Sequence, residues 1–164
     1  MTLSATLLPE FDQEMATTRR VIERVPSEKG EWKPHERSFS LAHLTQLVAT
    51  MPGWITKTVT GEDIDLAGGG SGYSTQSTES LLSQFDRHVT EARAAIEAAS
   101  DDDFALPWSL KMGERVLFTL PRSVTTRQHI NHLVHHRGQL TVYLRLLDVP
   151  VPSIYGPTAD EAWG

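Results

Sequence analysis

The chain has no cysteine, which excludes thiolate ligands, disulfides and a cysteine nucleophile. Any metal it binds must rest on imidazole, carboxylate or water. No run of about 18 apolar residues occurs, so no membrane span is expected. Basic charge is sparse: 15 Lys and Arg stand against 21 Asp and Glu, for a formal charge of −6. The basic residues are scattered and leave no stripe for a phosphate backbone, so nucleic acid is not an expected partner. The opening segment has no basic region and reaches Pro9 and Glu10 early, unlike a signal peptide. Together with the missing cysteine, this makes a cytoplasmic protein the expectation.

What is present is a chain of 164 residues, 39% hydrophobic, enough for one core and one domain spanning 1–164. Helical spacing dominates. Leu7, Leu8, Phe11, Met15, Val21, Ile22 and Val25 mark a first helix from Leu3 to about Val25. A charged connection, 26–40, carries Trp32. Ser38 or Ser40 caps a second helix through Leu41, Leu44, Leu47, Val48, Met51, Trp54 and Ile55, which Pro52-Gly53 should kink or interrupt. The segment 61–77, rich in glycine from 68 to 72, reads as a flexible loop and lacks the lysine of a phosphate-binding loop. Thr78 and Glu79 open a third helix with Leu81, Leu82, Phe85, Val89, Ala92 and Ile96 on its apolar face. The Asp101-Asp102-Asp103 run should end it. Between Phe104 and Leu120, Met112-Gly113 is placed to turn a short hairpin. A fourth helix runs from about Arg122 to Leu147 and stops at Val149-Pro150. The expected fold is all-α, a four-helix bundle with a short hairpin between helices three and four.

The fourth helix holds the densest chemistry. His129, His132, His135 and His136 are four of the chain's seven histidines. At ~100° per residue, His129, His132 and His136 fall within a ~60° sector, and His135 points elsewhere. Neutral imidazole is the commonest protein ligand for zinc and nickel, and His132 and His136 have the i, i+4 spacing that grips one ion. Leu133 stands where a zinc protease of the HExxH type has its glutamate, so that chemistry is excluded.

With the helices placed, a set of blocks resembles the DinB-like (damage-inducible protein) family. They are Trp32-Lys33-Pro34, Ser38-Phe39-Ser40-Leu41, Pro52-Gly53-Trp54, the run from His132 to Leu140, Tyr143-Leu144-Arg145, and Val149 through Pro157. They span most of the chain in the family's order. The resemblance implies a four-helix bundle, often dimeric, with a divalent transition metal, zinc or nickel, held by three histidines. One comes from helix two and two from the HxxxH pair, here His132 and His136. It also implies metal-dependent enzymes that use a low-molecular-weight thiol, among them S-transferases and a mycothiol-dependent isomerase. A small thiol, an electrophilic substrate and a second copy of the chain are the expected partners.

The chain departs from that pattern at the third ligand. The family position five residues before the proline is Leu47, and the nearest helix-two histidine is His43, one turn earlier. The shift keeps the face but moves the ring ~6 Å along the axis, far beyond the ~0.2 Å tolerance of a metal bond. His43 replaces the family ligand only if the site has moved, and with that move the metal set the resemblance implies is His43, His132 and His136. If helices two and four run parallel, His43, His129 and His132 would form a displaced site; if antiparallel, His43 moves away from His129. Arg137 and Gln139 are candidates to orient the ligand imidazoles. Tyr155, Asp160 and Glu161 lie in a Pro-rich tail expected to fold back over the bundle. His88 and His35 are read as surface residues.

Overall fold

The computed structural model describes residues 1–68 and 73–162. Helix α1 (Leu3–Ile22) starts where Thr2 accepts a hydrogen bond from the Ala5 amide, supplying one of the acceptors a helix start lacks. Helix α2 (Leu41–Thr60) is capped in the same way by Ser40, and at its far end Gly61 takes the left-handed conformation at φ 87°. Only glycine adopts that φ without strain, and a Cβ there would also meet the Arg122 guanidinium. Of the kink or interruption expected at Pro52-Gly53, the interruption does not occur. Helix α2 is continuous through both residues, because buried packing against its neighbours outweighs the one lost amide donor.

Helix α3 (Thr78–Ala98) is capped by Ser77. The Asp101–Asp103 run, expected to finish this helix, instead opens a short helix α4 (Asp101–Ala105). Ser100 and Asp103 close a reciprocal capping box there, and the carboxylates sit at the favourable positive end of the helix dipole. Strands β2 (Pro107–Met112) and β3 (Arg115–Pro121) form the anticipated hairpin, turning at Gly113 with φ 60°. Helix α5 (Arg122–Leu146) follows directly.

The all-α expectation is corrected in one respect. Strand β1 (Ile64–Asp65) adds in parallel to β2, giving a three-stranded mixed sheet in the order β1-β2-β3. A two-residue strand carries no period to detect in a sequence. It is held by Asp65, whose carboxylate accepts from the amides of Ala67 and Gly113, each at 2.8 Å. Most of the glycine-rich stretch, residues 69–72, lies outside the described residues.

Helices α1 and α2 sit on opposite corners of the bundle, each packed against α3 and α5. The core between them centres on Phe11, Ile22, Met51, Ile55, Phe85 and Leu133, all essentially inaccessible. Each such side chain contributes roughly 1.5–3 kcal/mol of burial. Helices α2 and α5 are antiparallel. Thr58 near the end of α2 meets His129 near the start of α5 at 3.1 Å, and Tyr143 near the end of α5 donates to the Phe39 carbonyl just before α2. No helix among the described residues is long and apolar enough to cross a membrane.

The tail folds back onto the bundle, as its prolines and tyrosine suggest. Arg137 is 1% exposed and bridges three elements. It contacts Glu14 Oε2 at 2.7 Å and Thr18 Oγ1 at 3.2 Å on α1, and donates to Tyr155 Oη at 2.8 Å. Tyr155 in turn donates to Glu14 Oε1. Asp160 pairs with Arg145 and Glu161 with Arg20.

Candidate metal centre

Helix α5 places its histidines where the bundle meets the sheet. Nε2 of His132 and Nε2 of His136 lie 2.9 Å apart, so two ring nitrogens converge on one point. His136 is buried and His132 is exposed. The pair forms the rim of the bundle, with one ring rooted in it and one facing out. His136 Nδ1 is 2.8 Å from Gln139 Oε1. A carboxamide oxygen only accepts, so the Nδ1 carries the proton and Nε2 keeps a bare lone pair. The other end of the same amide lies 3.1 Å from His135 Nε2.

Burial lowers the pKa of both rings. For His136 the Gln139 bond acts against that trend, and for His132 the nearby His136 and His135 add to it. Both are therefore neutral at pH 7, the form that binds metal. His129 is more deeply set. Burial first, then His132, pushes its pKa down to about 4, and its Nε2 is spent on Thr58 Oγ1. Trp54 lies 5.9 Å from His129 and 5.9 Å from His132, and Trp108 lies 5.9 Å from His129.

His43 is held elsewhere. Its ring is stacked between Phe39 at 4.0 Å and Tyr73 at 3.7 Å. Phe39 also stands 6.3 Å from His136, between the two helices. The antiparallel arrangement rules out the displaced site of His43, His129 and His132. Thr58 marks the level of His129, and 58 − 43 = 15 residues of α2 separate it from His43, about 22 Å of helix. Leu47 is 6% exposed within the apolar core and offers no donor. Among the described residues no three His, Asp or Glu side chains converge as an ion-holding group.

The donor set thus fits two coordination positions of a divalent ion, with one ligand tautomer already fixed. It does not fit a three-histidine centre in this conformation. Of the residues expected to orient the imidazoles, Gln139 does so. Arg137 is turned away into its ion pair with Glu14. Asp160 and Glu161 are likewise paired with arginines, away from the histidines. His88 is not a plain surface residue: it is half-buried against Gly53, where a Cβ would come within 2.9 Å of its Nδ1. Sequence reasoning did not single out Phe39, Tyr73 or Trp108 as surroundings of the histidines. Only their positions just outside helix ends or in a short strand hinted at a role, because no helical period applies there.

The class defined by this geometry is a mostly helical fold with a small three-stranded sheet, in which the antiparallel α2–α5 face carries a histidine pair at its rim. The chain belongs to the DinB family, whose profile matches residues 1–163. It is similar in structure to the DinB-like protein YjoA of Bacillus subtilis, with TM-score 0.66 and 15% identity over 87% of this chain and 92% of that one. A DinB-like protein of Bacillus cereus is similar with TM-score 0.65 and 20% identity over 90% and 95% of the two chains. At these identities the likeness concerns the fold. A stretch of 32 residues is 53% identical to the uncharacterized protein YrdA of Bacillus subtilis, covering 20% of this chain and 19% of that protein.

Proposed function

We propose that this DinB-family protein binds a divalent transition ion, zinc or nickel, through His132 and His136 and acts as a metal-dependent enzyme on small molecules. The observation that carries the reading is the pair of facing Nε2 atoms with Gln139 fixing the His136 tautomer. When bound, an ion with two protein ligands supplies Lewis acidity at open positions, where it lowers the pKa of a thiol or water. The chain's own contribution is to favour the neutral imidazoles, by burial at His136 and by partial desolvation with the neighbouring histidines at the exposed His132, to orient His136 through Gln139, and to set Trp54 beside His132. With no cysteine in the chain, any attacking sulfur belongs to a cosubstrate. S-transfer from a low-molecular-weight thiol to an electrophile is the reaction class this supports. His43 joins as a third donor only by leaving its stack between Phe39 and Tyr73. A second copy of the chain is the proposed protein partner, favoured by Val142 and Leu146 exposed on the outer face of α5.

A second reading is favoured by Leu47: a non-catalytic bundle whose histidine pair is a hydrogen-bonded remnant. Elemental analysis of untagged protein equilibrated with zinc or nickel at neutral pH separates the two. About one equivalent supports the first reading, and less than ~0.1 equivalent removes it.

A further inference from the structure

Beside the histidine pair lies a cavity of about 390 Å³ between the sheet and the α2–α5 face. This is within the range of small-molecule sites. Its roof follows from strand register. Ile64 pairs with Leu110 across β1 and β2, and Leu110 pairs with Phe118 across β2 and β3. These three apolar side chains therefore form one row across the sheet, ended by the irregularity between Leu110 and Lys111. The floor is Trp54, Gln128, His129 and His132. Trp108 braces one end, 6.2 Å from Phe118 and 5.9 Å from His129. Its indole is fixed by donation to the Glu62 carbonyl at 2.9 Å.

The lining settles the chemistry of the occupant. No Lys, Arg, Asp or Glu is among the described lining residues, so a carboxylate or phosphate would lose its water and gain no counter-charge. The aromatic walls favour a flat ring, through edge-to-face and offset contacts. His129 and His132 have their Nε2 atoms engaged by Thr58 and His136, so their Nδ1 atoms and the Gln128 carboxamide are the lining polar groups that orient what enters. We infer that this cavity is a binding site for an uncharged, planar aromatic molecule of one or two rings, oriented by the polar groups of Gln128, His129 and His132. The site goes beyond the proposed ion site and stands without it.

The test uses 2-naphthol as the neutral probe and 2-naphthoate as its charged counterpart, added to the full chain in EDTA at pH 7.5. Chelator keeps metal out, so the outcome is independent of the ion reading. Expected are saturable quenching of tryptophan fluorescence by 2-naphthol below about 1 mM and binding of 2-naphthoate at least about tenfold weaker. Leu110→Trp, which fills the cavity from its roof, should weaken 2-naphthol at least about tenfold with an unchanged circular dichroism spectrum. Should that variant not fold, NMR of the wild-type chain decides: 2-naphthol should move the His129 and His132 ring signals and leave His35 in place. Equal affinity for the two probes, an unaffected folded Leu110→Trp variant, unmoved ring signals, or no saturable binding by the wild-type chain would each overturn the proposal.

Discussion

His136 Nδ1 lies 2.8 Å from Gln139 Oε1, one turn further along α5, and this contact decides which nitrogen of His136 is free for a ligand. Replacing Gln139 by Leu removes the acceptor and lets the proton sit on either nitrogen. Metal affinity should fall about 10–100-fold, read by competition with a chelating dye at pH 7.5. Gln139→Glu keeps an acceptor in place and should hold affinity within about tenfold of the original.

The resemblance to the DinB-like pattern expects a third imidazole at the position of Leu47, which is buried in the apolar core. Leu47→His should tighten zinc or nickel binding by at least about tenfold. In the metal-free protein it should cost about 1–3 kcal/mol of stability, since a polar ring replaces a buried aliphatic side chain. Denaturant titrations with and without metal measure both effects. His43→Ala, by contrast, should leave metal affinity within about threefold, because His43 is held by Phe39 and Tyr73. A loss of tenfold or more would show that His43 leaves the stack and ligates.

His129 makes the fold sensitive to acid. Its pKa is about 4 in the folded chain, against about 6.5 when unfolded. The unfolded chain therefore takes up the proton first as pH falls. The stability contribution is fully present above about pH 6.5 and is lost progressively down to about pH 4. By pH 5 the loss should be about 2 kcal/mol. Urea unfolding at pH 7.5 and 5.0 checks this, and His129→Asn should show a smaller difference between the two.

Arg137 and Glu14 form a buried pair at 2.7 Å, with Tyr155 closing the triangle. Arg137→Met strands the Glu14 carboxylate and should cost about 3–5 kcal/mol. Tyr155→Phe removes one hydroxyl from the same network and should cost about 1–3 kcal/mol. Neither variant should change metal stoichiometry, because the network faces away from His132 and His136. Chemical denaturation and elemental analysis give the two readings.

The helices were legible because long amphipathic segments repeat their pattern many times. Leu81, Phe85, Ala92 and Ile96 of α3 are all buried as their spacing requires. The pair of His132 and His136 was legible for the same reason, since one helix fixes their relative position. Strand β1 was not, because Ile64 and Asp65 owe their conformation to Leu110 and Gly113, far along the chain. The surroundings of His43 were not legible for a related reason: its neighbours Phe39 and Tyr73 lie outside helices, where no period predicts direction. Arg137 sits two residues from Gln139, yet helical geometry turns it toward α1 and into the ion pair with Glu14.

The most direct test of the histidine pair is metal stoichiometry by equilibrium dialysis and elemental analysis, on untagged wild-type chain and on His132→Ala and His136→Ala. The wild-type chain should hold about one equivalent of zinc or nickel at pH 7.5 and each variant less than ~0.1 equivalent, with circular dichroism unchanged. Equal metal content in the wild-type chain and both variants would contradict the account.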